Sequence, residues 1–128
     1  MILGIDYGAR RIGLALADEA TVIPLPFKEL KNQGIDLVIL EIEKIIQQEK
    51  INLIVVGWPV GLGGQETEKT QETKKFIDIL AKKVSIPVAK IDERLTSKLA
   101  DTLSGKQGSR DVGAAMIILE DFLQRQKE

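Results

Sequence analysis

At Gly34 the hydrophobic pattern changes period, from two residues to about 3.6, and the switch leaves few architectures open. Ahead of it, residues 1–7 read as a buried strand, Gly8-Ala9-Arg10-Arg11 as a turn, and roughly 11–18 as a second strand completing a hairpin. Within that second strand Ile12, Leu14 and Leu16 alternate with Gly13, Ala15 and Ala17. One face therefore packs large side chains while the other tolerates only small ones. A third extended stretch, about 21–29, contains Pro24 and Pro26, which cannot donate to a ladder and mark an edge strand.

Beyond Gly34, Ile35, Val38, Ile39, Ile42, Ile45 and Ile46 fall on one helical stripe, with Glu41, Glu43, Lys44, Gln47 and Gln48 facing away. The apolar run Ile51 to Val56, broken only by Asn52 and ended by Gly57, suits a central strand covered on both faces. A glycine-rich loop over 57–64 leads to a polar helix over about 67–84 that carries Phe76, Ile77, Leu80 and Val84. Residues 86–91 read as a fifth strand, followed by helices over 94–103 and 110–125 separated at 104–108. The order βββαβαβαα predicts an α/β fold: a five-stranded mixed sheet flanked by helices, with an opening meander and two later strands joined by helical crossovers. At 128 residues, with neither internal repeat nor linker, residues 1–128 are expected to form a single domain.

Hydrophobic residues make up 44% and charged residues 29%, the balance of a soluble globular protein. Apolar runs such as Leu53 to Pro59 are only strand-length, and Met1-Ile2-Leu3 enters structure without a basic leader. No membrane partner and a cytoplasmic location are expected. The chain has no cysteine and no histidine, which removes disulfides, thiolate nucleophiles, the usual zinc sites and any imidazole base. Any catalysis must rest on carboxylates, lysines, hydroxyls or a hard metal ion. A net charge of −1 lacks the basic bias of most nucleic-acid-binding domains, although Arg10-Arg11, Lys74-Lys75, Lys82-Lys83, Arg94, Lys98, Lys106 and Arg110 supply local positive charge. The lysine pairs also read as solvated helix surface.

Three acidic positions stand out. Asp6 ends an otherwise apolar strand, where an ionised carboxylate is costly unless paired or metal-bound. Asp92-Glu93 ends the fifth strand and Asp111 begins the last helix. With the first strand central, the carboxyl ends of strands one, four and five open on one sheet edge, the usual place for a ligand crevice. Adjacent strand residues point to opposite faces, so only one of Asp92 and Glu93 can enter such a site. Structural duties compete with the catalytic ones: Asp92 as a helix cap, Asp111 as a first-turn acid favoured by the helix dipole, Glu93 in a pair with Lys98. The turn after Asp6 is either a plain hairpin or a phosphate-facing turn, and the 57–64 loop matches neither the Walker loop nor the dinucleotide fingerprint.

Four segments together resemble the YqgF/RuvX family of Holliday junction resolvases, also described as nucleases that mature the 5′ end of pre-16S ribosomal RNA. They are Gly4-Ile5-Asp6-Tyr7-Gly8 with Arg10-Arg11-Ile12-Gly13-Leu14-Ala15, Val55-Val56-Gly57-Trp58-Pro59 with Gly64, Asp92-Glu93-Arg94-Leu95-Thr96-Ser97, and Asp111-Val112-Gly113-Ala114-Ala115 with Ile118-Leu119. The resemblance covers nearly the whole chain and implies an RNase H-like fold and a metal-dependent nuclease. It makes Asp6, Glu93 and Asp111 catalytic residues and ligands of Mg²⁺ or Mn²⁺, with Asp6 bridging two ions. It further implies that Arg10, Arg11 and Arg94 hold phosphate and that Thr96, Gly57 and Pro59 border the groove. Against the related resolvase RuvC, the fourth strand ends in Gly57 where that enzyme has an acid, so Glu93 substitutes, and the last helix begins with one acid rather than two.

The implied partner is nucleic acid, either a ribosomal RNA precursor or branched DNA. Either a monomer or a homodimer is compatible with the sequence, and resolution of a four-way junction requires the dimer. Two other functions share these features: a nucleotide-binding module, because Asp6-x-Gly8 also looks like the first phosphate loop of actin-like ATPases, and a non-catalytic ribosome-assembly adaptor.

Overall fold

The computed structural model describes residues 1–21, 23–58, 68–92 and 110–126. Five strands form one mixed sheet: β1 (Ile2–Asp6), β2 (Arg11–Ala17), β3 (Pro24–Lys31), β4 (Leu53–Trp58) and β5 (Val88–Asp92), in the order β3-β2-β1-β4-β5. The helices are α1 (Ile35–Glu49), α2 (Glu68–Lys83) and α3 (Arg110–Gln126). β1 lies at the centre, antiparallel to β2 and parallel to β4, and β5 adds parallel to β4. The carboxyl ends of β1, β4 and β5 thus share one edge, as the sequence pattern predicts. The helix expected over 94–103 lies outside the described residues.

The change of period at Gly34 is where the meander gives way to α1. Gly34 has φ 119°, a conformation that costs glycine little, and its N–H donates to Asn32 Oδ1 at 3.1 Å. Asn32 also donates from Nδ2 to the Gly8 carbonyl at 2.8 Å, and its backbone N–H donates to the Arg10 carbonyl at 2.9 Å. One side chain therefore ties the β1–β2 turn to the start of the helix.

The third strand is an edge strand, as its prolines require, but it runs from residue 24 to residue 31 rather than from 21 to 29. The register explains part of the shift. Leu14 pairs with Lys28 while Ala15 pairs with Pro26, so Phe27 is an extra residue in a bulge, and pairing then continues to Arg11 and Lys31.

The sheet separates two cores. On one face Leu3, Ile5, Tyr7, Ile12, Leu14 and Leu16 pack with α1 and α2, where the Tyr7 and Phe76 rings stack with centroids 4.2 Å apart. On the other face Ile2, Ala15, Ala17, Val55 and Ile91 receive α3 through Ala115, Ile118, Leu119 and Leu123. The small residues that alternate along β2 are what allow α3 to lie so close. A β-carbon at Gly13 would overlap the Asp111 carbonyl, and one at Gly4 would press into Leu119 and the Ala115 carbonyl. Among the described residues no helix is long and apolar enough to cross a membrane.

Gly13→Ala should force the first turn of α3 off the sheet and cost about 1–3 kcal/mol or more in urea denaturation, the range for overpacking a tight core. A change below about 0.5 kcal/mol would mean that α3 does not rest on β2.

Candidate active site

Strand register assembles the site before any side chain is considered. Asp6 pairs with Gly13 across β1 and β2, and Gly13 pairs with Glu29 across β2 and β3. Ile5 pairs with Val56, so continuing that register by one residue sets Asp6 beside Gly57, which in turn pairs with Ile91. Residues directly opposite one another share a face. Glu29, Gly13, Asp6, Gly57 and Ile91 therefore form one transverse row on the α3 side, in which the Asp6 carboxylate is flanked by two residues without side chains.

The first turn of α3 closes on this row. Because Gly13 admits the Asp111 carbonyl, Asp111 is anchored next to the strand position paired with Asp6. Asp6 is only 7% exposed, and Asp111 is half-buried. The Asp111 carboxyl is pushed above its ordinary range, first by burial and then by the negative charge of Glu29, with which it also shares a side-chain hydrogen bond. Arg11 and Lys69 oppose that rise through their positive charge. Arg11 Nε in turn lies 3.9 Å from Glu29 Oε1 at the exposed end of β2.

Of the residues singled out in the sequence, Asp6, Asp111, Arg11 and Gly57 lie at this edge and Arg10 is exposed in the adjoining turn. Glu93, Arg94, Thr96 and Pro59 lie outside the described residues, and β5 ends at Asp92, immediately before Glu93. Glu29 escaped the sequence reading. Its strand is mostly exposed and its only sequence signal is a place opposite Gly13, which requires the register to be known.

The donor set fits a hard divalent cation: the acids are oxygen donors alone, and Asp111 and Glu29 are crowded enough to raise a carboxyl pKa. Among the described residues no three acids converge closely enough to hold an ion by themselves. From the described residues, Asp6 and Asp111 could supply only part of the ligand set of such an ion.

The comparisons agree with this architecture. Residues 1–125 match the family described as "RuvX: Holliday junction resolvase". A protein of Maridesulfovibrio salexigens named "Putative pre-16S rRNA nuclease" is 34% identical, covering 97% of this chain and 98% of its own length. A protein of the same name from Rickettsia rickettsii is 32% identical over 95% of this chain and 84% of its own. Among solved structures, T. thermophilus RuvC in complex with a Holliday junction substrate superposes with a TM-score of 0.65 at 11% identity, over 98% of this chain and 94% of that one. The Fowlpox virus resolvase, in complex with Holliday junction DNA, gives 0.62 at 10% identity, over 99% of each chain. At such identities the likeness is one of fold, the RNase H-like fold that the sequence motifs imply.

A raised Asp111 pKa has a defined consequence for stability. The folded state binds this proton more tightly than the unfolded state, so the contribution is present below the ordinary carboxylate range and is lost as pH rises through the raised folded value. Without divalent metal, Asp111→Asn should therefore melt higher than the wild type at pH 7, and the gain should vanish near pH 3. Glu29→Gln should make the wild-type loss with rising pH shallower. Melting curves with no pH-dependent difference between Asp111→Asn and wild type would contradict the assigned environment.

Proposed function

The chain belongs to the RuvX family, and from that premise we propose that it is a metal-dependent nuclease hydrolysing phosphodiester bonds of structured nucleic acid, with Asp6, Glu93 and Asp111 as its catalytic carboxylates. The observation that carries this reading is the seating of the Asp111 backbone on Gly13, the strand partner of Asp6, at the sheet edge where β1, β4 and β5 end. A buried carboxylate flanked by glycines, with the acid-bearing first turn of α3 seated alongside, suits the oxygen-only donor set of a hard cation.

In this reading Asp6 and Asp111 hold Mg²⁺ or Mn²⁺, with Glu93 as the further ligand that the pair requires. When bound, the ion supplies Lewis-acid activation of water and neutralises charge on the transferring phosphate. The chain's own groups do the rest. Arg10, exposed in the turn, and Arg11, at the strand end, offer guanidinium forks to phosphate oxygens, and Arg94 is assigned the same task. Arg11 reaches its phosphate by exchanging an exposed ion pair with Glu29, a contact of the kind that contributes little to stability. Gly57 keeps the position beside Asp6 free of a side chain, and Pro59 and Thr96 are assigned to contacts with the nucleic acid.

The names of the two relatives favour a ribosomal RNA precursor, cut at the 5′ end of pre-16S RNA in the cytoplasm, as the substrate. The family description and the fold favour branched DNA as the second reading, and that activity requires two sites related by a two-fold axis.

Cleavage of matched RNA, single-stranded DNA and four-way-junction substrates separates the readings. The wild type should cut one of them with Mg²⁺ or Mn²⁺ and none in EDTA, and Asp6→Asn should lose more than about 100-fold, beyond the 10- to 100-fold of losing a group that only supports a ligand. Binding with no cleavage under any metal would instead favour a ribosome-assembly adaptor.

A further inference from the structure

β4 and β5 run parallel, so α2, which joins them, returns along the sheet from the edge where the strands end to the edge where they begin. Its first turn therefore stands at the edge that carries Asp6 and the start of α3. Along α2, Lys69, Thr73, Phe76 and Leu80 follow one another at the spacing of a single helical stripe. Thr73, Phe76 and Leu80 are fully buried, and the Phe76 ring stacks on Tyr7, the residue that follows Asp6 at the end of β1. Lys69 precedes Phe76 by about 10 Å of helix axis, at ~1.5 Å per residue. It continues the stripe yet is exposed, because there the stripe has run past the end of β1.

The electrostatics agree with that placement. The positive charge of Lys69 works against the rise of the Asp111 carboxyl, as that of Arg11 does, so its ammonium acts across the strand ends on the acid borne by α3. Nothing within α2 calls for a cation at this position. The first turn is the positive end of the helix dipole, which suits Glu68 and disfavours lysine. Among the described residues Lys69 forms no ion pair. A cation close to Asp111 also opposes a metal ion at that carboxylate, unless an anion arrives with the metal. The phosphate of a nucleic-acid backbone is such an anion, and an exposed ammonium is a donor suited to it.

We infer that Lys69 is a phosphate-binding residue of the nuclease site, reaching from α2 over the ends of the strands to the substrate backbone beside Asp111. The inference rests on the nuclease reading above and adds a contact that none of the four sequence motifs contains.

Anisotropy of labelled RNA and of a labelled four-way DNA junction, with Ca²⁺ in place of Mg²⁺ and over a series of salt concentrations, tests it. Loss of one phosphate contact lowers the log–log salt slope by about one unit, so Lys69→Gln should bind about 5- to 10-fold more weakly at ~0.1 M salt and match the wild type near ~1 M. Lys69→Arg should restore most of the loss. Lys82→Gln removes the same charge from the last turn of α2 and should bind like the wild type, with melting temperatures equal among the variants. Wild-type affinity and slope in Lys69→Gln would overturn the inference and leave the nuclease reading standing. Equal losses in Lys69→Gln and Lys82→Gln would overturn it as well, since they would report net charge alone. Failure of the wild type to bind either nucleic acid would remove both.

Discussion

The close approach of α3 to β1 and β2 is the constraint on which the rest of this structure depends. A helix normally stands about 10 Å from a sheet, separated by side chains from both. Here Gly4 and Gly13 remove those side chains at two points along α3, while Ala15 and Ala17 keep the neighbouring surface low. The backbone of Asp111 then rests directly on β2, in the position paired with Asp6. The backbone of Asp111 is thereby seated on the strand partner of Asp6, an acid more than a hundred residues away in the chain, by the absence of side chains between them.

That approach sets the electrostatics. Asp111 is half-buried on a face shared with Asp6 and Glu29, and both burial and the charge of Glu29 favour its protonated form. Arg11 and Lys69 offset this only in part. In the proposed reading a divalent cation would offset this negative charge. In that reading the net charge of −1 is no obstacle to binding a polyanion, because the positive charge required would be local, from basic residues at the sheet edge and from the cation.

Much of this was legible in the sequence because period and composition are local signals. The alternation of Gly13, Ala15 and Ala17 with larger residues announced a face that accepts only close neighbours, and Pro24 and Pro26 announced an edge. Asp6 stood out as a charge in a buried strand, and burial of its side chain bears that out. What stayed hidden depends on pairing between segments. The bulge at Phe27 shifts β3, and only with that register known does Glu29 fall opposite Gly13 and within reach of Asp111. The influence of Lys69 on Asp111 is of the same kind, since in the sequence alone Lys69 reads as solvated helix surface.

The central claim is that Asp6 and Asp111 face a common cation across Gly13. Crystals soaked in Mn²⁺ test it most directly through anomalous scattering. The account predicts a peak within about 2–2.5 Å of a carboxylate oxygen from each of the two residues, the distance at which hard cations bind oxygen. Manganese bound only elsewhere, or touching neither carboxylate, would contradict it.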